Sequence, residues 1–155
     1  MAFNRQFEIP DFAVSSAGLH AVIGHPVHRE AAAVLNGLGG DASNFSARQL
    51  NPKIASSADL VLTMTKAHRN AVLEIAPRQL RRTFTLSEAS RLAADFGPDD
   101  LSQLAGLRPQ LSANDAPDVP DPIGQDPGVF ASVGEQIADL LHPVLSLCRR
   151  SLNLA

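Results

Sequence analysis

The sequence contains a single cysteine, Cys148, and this scarcity excludes several kinds of architecture. One thiol can form neither a disulfide framework within the chain nor a metal site built from several thiolates. It also excludes a redox relay between thiols of this chain. A lone cysteine fits a reducing compartment, so we expect a cytoplasmic protein.

Long apolar runs and basic stripes are also missing, although 45% of the 155 residues are hydrophobic. No uninterrupted apolar run approaches the roughly 20 residues that a bilayer requires, so we expect no membrane span. Residues 1–8 lack an apolar core followed by a cleavage site and do not predict a secretory signal. The basic residues are scattered rather than interleaved with aromatics, which argues against nucleic acid as a partner. The length predicts one domain over residues 1–155.

What the sequence does contain is an alternation of strand and helix patterns. The predicted strands are Phe12–Ala17, Asp59–Met64 and Thr83–Leu86. Predicted helices cover 28–38, 52–58, 66–75, 88–96 and 128–152, with Ser87 as the cap of the fourth. This order is typical of an α/β fold, a doubly wound parallel sheet with helices on both faces.

A long segment from Pro109 to Pro127 interrupts this alternation. It contains five prolines and four aspartates, a composition that predicts a loop rather than a strand or helix. Long loops of this kind often carry function, so their acidic side chains are the first candidates for chemistry.

Several segments, in the same order along the chain, resemble the bacterial branch of the low-molecular-weight protein-tyrosine-phosphatase family. These segments are Val14–Gly18, Ser46–Leu50, Ala58–Met64, Arg82–Leu86 and Asp118–Pro122. Each one is short, but their order and spacing make the resemblance specific. It implies that family's parallel sheet, and it implies a phosphotyrosine protein as substrate, with no cofactor and no metal.

The resemblance also implies that one part of the family's pattern is absent. The family reacts through a loop of the form Cys-x5-Arg-Ser, and this chain begins at Met1-Ala2, where that loop should have ended. Backbone N–H groups of such a loop bind phosphate and lower the thiol pKa, and the arginine grips the phosphoryl group. We therefore expect an inactive chain whose sheet is missing its first strand and which is either marginally stable or self-associates through the incomplete sheet.

Two explanations of this absence stay open, a truncated gene model and a natural relative without catalysis. The first predicts that the DNA directly upstream of Met1 encodes, in frame, a short strand followed by Cys-x5-Arg-Ser-Pro. A stop codon close to Met1 would favour the second explanation.

Asp121 and Ser16 are the two site residues that the resemblance assigns. Asp121-Pro122 matches the family's general acid, which protonates the leaving phenolate and then activates water. The alternative is a solvated turn aspartate between prolines. Ile123 stands where the family commonly has an aromatic residue, which puts stacking on the substrate in doubt. Ser16 resembles the serine that supports the phosphate loop, and its alternative role is a turn hydrogen bond.

Other reactive side chains are interpreted structurally. Arg48 matches a recurrent arginine of the family, but an exposed arginine is the commoner condition and no catalytic role is assigned. Cys148 precedes two arginines, yet the Cys-to-Arg spacing differs from the family's loop and a helix C-terminus disfavours a thiolate. His20, His25 and His28 lack the acidic or thiol partners of a recognisable metal site.

Three functions follow from these patterns. The first is a phosphotyrosine-protein phosphatase, and the second is a phosphatase-like binding or regulatory module without catalysis. The third is an arsenate reductase on the same fold, which needs the same loop and further redox cysteines, whereas Cys148 stands alone. The sequence contains neither a Gly-x-Ser-x-Gly elbow nor a Walker phosphate loop.

Overall fold

The computed structural model describes residues 11–112 and 114–152, and the chain divides into two compact units. The first unit comprises Met1–Leu50 and Asp121–Glu135, and the second comprises Asn51–Pro120 and Gln136–Ala155. The predictions made from Met1-Ala2 and from residues 1–8 lie outside the described residues. A single domain over residues 1–155 stays a prediction.

Six α-helices are found in the described part of the chain. They are α1 Arg29–Gly37, α2 Pro52–Ser56, α3 Lys66–Ile75, α4 Leu86–Phe96, α5 Leu104–Leu107 and α6 Pro127–Ser151. Short 3-10 turns cover Pro77–Gln79, Leu101–Gln103 and Arg108–Gln110. The predicted helices are confirmed with small shifts at their ends, and α3 has the predicted bounds. No described helix is long and apolar enough to cross a membrane.

The second unit contains a parallel pair of short strands, β1 Val61–Thr63 and β2 Thr83–Thr85. Val61 pairs with Thr83, Leu62 with Phe84 and Thr63 with Thr85. The crossover from β1 to β2 contains α3, as a parallel connection requires. The prediction that the second and third strands lie parallel is confirmed, and the sheet has two strands in the described residues.

The predicted cap of α4 is wrong. Thr85, not Ser87, is the N-cap: its side chain accepts a hydrogen bond from the Glu88 N–H at 3.1 Å. The Glu88 carboxylate in return accepts from the Thr85 N–H at 2.9 Å, which completes a capping box. β2 therefore runs directly into the helix and leaves Ser87 in its buried first turn. Gly97, with φ of 55°, ends the helix in the left-handed conformation that favours glycine.

The predicted strand Phe12–Ala17 is also wrong. These residues pair with no described strand, and a β pattern without a neighbour cannot form a ladder. The pairing that does form is a single parallel bridge between Gly18 and Gln49. The Gly18 N–H donates to the Arg48 carbonyl at 2.9 Å, and the Leu50 N–H donates to the Gly18 carbonyl at 2.8 Å.

The first unit packs the beginning of α6 against α1. A Cβ added at Gly134 would overlap the Cγ1 atom of Val34, so only glycine permits this close approach. The His28 ring stacks on Phe130, with centroids 5.2 Å apart and 7° between the planes. These contacts hold one side of α1, although the helix contains no fully buried residue.

The apolar core lies in the second unit, around β2, α4 and the later part of α6. Its largest fully buried apolar side chains are Phe84, Leu86, Leu92, Leu104, Leu147, Val119 and Val144. The predicted apolar face of α6 is confirmed at Val133, Val144 and Cys148, which are all buried.

Candidate functional site

The segment that leads to the predicted acid is anchored at the carboxyl end of β1. The Lys66 N–H, at the start of α3, donates to the Asp118 carboxylate at 2.8 Å. The Val119 N–H donates to the Met64 carbonyl at 2.9 Å, and the Val119 side chain is buried. A carboxylate at a helix N-terminus is favoured by the helix dipole. This fixed segment lies at the sheet edge where parallel α/β proteins commonly bind ligands.

Asp121 itself belongs to the first unit and is exposed. Its Oδ1 atom accepts from the Ile123 N–H at 3.0 Å, so the residue forms an Asx turn across Pro122. Ile123 is 58% exposed. The turn that the alternative interpretation expected is therefore present, and it leaves the carboxyl group open to solvent. The role of Asp121 as a general acid stays a prediction.

Ser16 and Arg48 are brought together by the structure. The Arg48 Nε donates to the main-chain carbonyl of Ser16 at 2.6 Å, and both residues are exposed. The Ser16 contact therefore uses the peptide oxygen. Support of a phosphate loop by Ser16 stays a prediction, whereas Arg48 has a role in holding the segment around Ser16 in place.

Gln49 is a positioning residue that sequence reasoning missed. Its Nε2 donates to the Leu19 carbonyl at 2.6 Å, and its Oε1 accepts from the Ala21 N–H at 3.0 Å. One side-chain amide therefore fixes the turn after Gly18. No sequence signal marked Gln49, because its partners lie 28 and 30 residues away along the chain.

Cys148 is buried on α6, and its environment decides its chemistry. Only 4% of the residue is exposed, and burial raises the pKa of the thiol from 9.0 to about 11. At neutral pH the group is a thiol, which is a poor nucleophile. This geometry agrees with the structural thiol expected from the sequence.

The three histidines are spread through the first unit without a ligand set. No group of three histidine, cysteine, aspartate or glutamate side chains within residues 11–112 and 114–152 could hold a metal ion. His28 packs on Phe130, and the His25 main chain pairs with Val22 and Ala47.

A cluster of charges beside β2 was not foreseen from the sequence. Arg69 of α3 forms an ion pair with Glu88, the same carboxylate that completes the capping box of α4. Arg108 lies over the Phe84 ring at 4.2 Å and donates to the Thr83 carbonyl at 2.7 Å. Burial lowers the pKa of Arg108, and nearby Glu88 partly opposes that effect. The cluster ties α3, β2 and α4 together, so its role is structural.

Comparison with known proteins adds independent findings. The family model described as low molecular weight phosphotyrosine protein phosphatase matches residues 3–153. The low molecular weight protein-tyrosine-phosphatase Wzb of Salmonella typhi is 38% identical over 68 residues, which cover 44% of this chain and 46% of the relative. The probable phosphatase EpsP of Ralstonia solanacearum is 31% identical over 87 residues, covering 56% of this chain and 60% of the relative. The chain thus spans about half the length of the curated relatives it matches.

Solved structures resemble the whole described fold. A low molecular weight protein tyrosine phosphatase from T. tengcongensis superposes with a TM-score of 0.71 and 26% identity, covering 94% of this chain and 83% of that one. Vibrio vulnificus Wzb, solved in complex with benzylphosphonate, superposes with a TM-score of 0.70 and 23% identity, covering 94% of this chain and 85% of that one. The second likeness shows the fold alone. Together with the parallel strands, these matches confirm the predicted α/β class.

Proposed function

The chain belongs to the low molecular weight phosphotyrosine protein phosphatase family, and we propose that these 155 residues alone do not catalyse hydrolysis of phosphotyrosine in proteins. By resemblance, that reaction needs a thiolate in a Cys-x5-Arg loop, which takes the phosphoryl group, and an aspartic acid, which protonates the leaving phenolate. The chain has a candidate for the acid, Asp121, and none for the thiolate. No cofactor enters this chemistry.

The state of Cys148 is the observation that carries the proposal. A phosphatase nucleophile needs a lowered thiol pKa, and burial raises the pKa of this thiol to about 11. The residue also lies in the last turns of α6, where the helix dipole disfavours negative charge. Attack on a phosphate dianion by the only cysteine of the sequence is therefore unfavourable on both grounds.

Asp121 supports the other half of the proposal. Its carboxyl group is exposed and accepts from the Ile123 N–H in its own Asx turn. An accessible carboxyl group held by a turn suits proton transfer to a substrate that binds from solvent. We assign Asp121 as the general acid of the family's reaction. It would protonate the leaving group once a Cys-x5-Arg loop is joined to this chain.

A turnover assay with an aryl phosphate tests the first half. We expect the purified chain to release p-nitrophenol at the rate of buffer alone, with the T. tengcongensis relative as the active reference. Turnover that disappears in Cys148→Ser would contradict the proposal, since it would make the buried thiol a nucleophile.

A chimera tests the assignment of Asp121. The strand and Cys-x5-Arg loop of a curated relative would be joined in front of this chain, and we expect aryl-phosphatase activity to appear. Asp121→Asn should then lower turnover of a poor leaving group by about 10²–10⁴-fold, the usual contribution of general acid catalysis. Asp126→Asn, on the same loop, is the matched control and should change turnover little. Equal losses in both variants would refute the assignment.

A phosphatase-like binding or regulatory module is the second candidate function. The buried Cys148 favours it as well, because binding requires no nucleophile. A folded chimera without activity would favour this module over the catalytic ancestry.

The proposal includes a cytoplasmic location and association between copies of the chain. The lone thiol supports the first, and the sheet of two strands in the described residues supports the second, because a strand edge without a partner in its own chain can pair with a second copy. Sedimentation velocity at several concentrations should show a species larger than one chain. A monomer at all concentrations would contradict the proposed association between copies of the chain.

A further inference from the structure

A turn of cationic side chains projects from the second unit immediately before β2. The exposed residues between Pro77 and Thr83 are Arg78, Leu80, Arg81 and Arg82, and Leu80 is 55% exposed. We call residues 78–82 the arginine turn. The packing of the unit does not require a large apolar side chain to be exposed next to three arginines in the chain.

The buried side chain of Gln79 holds the arginine turn in place. The Gln79 side chain is buried, and its Nε2 donates to the Ala55 carbonyl at 2.6 Å and to the Ala58 carbonyl at 3.1 Å. Its main-chain carbonyl accepts from the Thr83 hydroxyl and from the Arg82 N–H, both at 2.9 Å. These hydrogen bonds hold the main chain of the turn before any ligand arrives, which reduces the entropy lost on binding.

The charges of the arginine turn are largely unneutralised. Arg78 and Arg81 form no ion pair with residues 11–112 or 114–152, and Arg82 lies 3.7 Å from Asp59. That last pair is weak, because both side chains are mostly exposed, at 55% and 93%. A local positive surface thus stands on a chain whose formal net charge is −3.

We propose that the arginine turn is a docking surface for an acidic protein segment that carries an apolar side chain. Guanidinium groups bind carboxylates through paired hydrogen bonds, and the exposed Leu80 of the same turn offers an apolar contact. A nucleic acid fits less well, since the turn has no aromatic side chain on which bases could stack. A membrane surface is usually recognised by about 4–8 basic residues, more than this turn provides.

The position of the arginine turn separates it from the candidate chemistry. It lies at the amino end of β2, whereas the contact of Lys66 with Asp118 lies beyond the carboxyl end of β1. Since β1 and β2 are parallel, these are opposite edges of the sheet. A partner bound at the turn leaves the Asp118 anchor uncovered, and its binding does not depend on phosphatase activity.

Fluorescence anisotropy with a labelled ten-residue peptide of eight glutamates and two leucines tests the proposal. We expect saturable binding that weakens as salt is added, and little binding of the same peptide with glutamine for glutamate. Arg78→Glu combined with Arg81→Glu should lower the affinity on the order of 10-fold or more, because like charges then face each other. Arg29→Glu combined with Arg149→Glu changes the net charge equally at other exposed sites and should leave the affinity nearly unchanged.

Leu80→Ser tests the apolar contact. The variant should bind the leucine-containing peptide about 5–10-fold more weakly than the parent chain does. A peptide with serine in place of leucine should bind the variant and the parent chain with equal affinity. Circular dichroism melting curves of all variants should coincide within a few degrees, since the changed side chains are exposed.

Three results would overturn the proposal. One is equal weakening in the two charge-reversed double variants, and another is absence of peptide binding at millimolar concentration. The third is binding through Arg78 and Arg81 to phosphatidylserine vesicles or to a single-stranded oligonucleotide in place of the peptide, which would assign the surface to a different class of partner.

Discussion

The two units are stabilised in different ways. Phe130 and Val133 are the only buried apolar residues in the described part of the first unit, and the other buried apolar residues all belong to the second unit. Most of the exposed large apolar side chains lie in the first unit: Val14, Val22, Ile23, Leu38, Phe45, Ile123 and Val129. The second unit thus gains from apolar burial, whereas the first relies on hydrogen bonds and a few close contacts.

This difference coincides with the placement of the candidate chemistry. Ser16 and Asp121 are exposed residues of the first unit, and Asp118 and Cys148 belong to the second. Groups that bind a ligand from solvent must be exposed, so candidate site residues are expected among exposed side chains. Substitutions at the buried Cys148 therefore test the core, and substitutions at Asp121 test the exposed loop.

Phe84→Ala should have the largest effect on this comparison. Phe84 has 0% exposure and carries Arg108 over its ring, so its removal creates a cavity and leaves that guanidinium without its aromatic contact. We expect a loss of about 3–5 kcal/mol in the free energy of unfolding, measured with urea. Phe45→Ala, where the ring is 41% exposed, is the matched change in the first unit and should lose less than about 1 kcal/mol. Similar losses would mean that the units are equally well packed.

The pH dependence of stability should report the burial of Cys148. The pKa of the thiol is about 11 in the folded chain and 9.0 in its reference state, so deprotonation favours the unfolded chain. The free energy of unfolding is therefore unaffected by this thiol below pH 9. It decreases by roughly 2–3 kcal/mol as the pH rises towards and through 11. The chain has no tyrosine, so no phenol contributes to the change of stability in this pH range.

Cys148→Ala supplies the control for that measurement. Its unfolding free energy should change less between pH 8 and pH 11 than that of the parent chain. Alkylation by iodoacetamide should be slow in the folded parent and fast in guanidinium chloride. Rapid alkylation of the folded chain would show that the core of the second unit is more open than described.

Gly134→Ala tests whether the first unit has any tight packing. The added methyl group would overlap Val34, so we expect a loss of about 2 kcal/mol through forced displacement of α1. Gly128→Ala, in the same helix, meets open space and should be neutral or stabilise by a fraction of about 1 kcal/mol. If both variants unfold at the same urea concentration, the contact between α1 and α6 is loose.

Asp118→Ala should give the smallest change. It removes the carboxylate that accepts from the Lys66 N–H, and we expect a loss of about 1 kcal/mol, as for a helix cap. Hydrogen exchange should speed up at Lys66 and Val119, and the Ile123 amide should also exchange faster if the loop is anchored through Asp118. Asp115→Ala, whose carboxylate accepts from Ser112 within the same long segment, should leave the Lys66 amide unchanged. If the Lys66 amide exchanges at the same rate in Asp118→Ala as in the parent chain, Asp118 does not anchor this segment.

Predictions from sequence succeeded where a pattern is local and strong. The helix Lys66–Ile75 has the predicted bounds, since both of its end signals are local: a polar start and the proline at residue 77 just after its end. The predicted strand Phe12–Ala17 failed because a strand depends on a neighbour that its own residues do not specify. Ser87 was predicted as the cap because the strand was predicted to continue to Leu86, whereas β2 ends at Thr85 and Thr85 itself caps the helix.

Sequence alone was enough to predict β1, β2, the longer helices, the single thiol and the acidic loop that contains Asp121. These depend on residue type and local spacing, which are visible in a linear chain. The tertiary structure alone decided that Asp118 meets Lys66, 52 residues away, and that Gln79 fixes the arginine turn through α2. It alone raised the pKa of Cys148, because loss of water around a charge arises only when distant segments pack together.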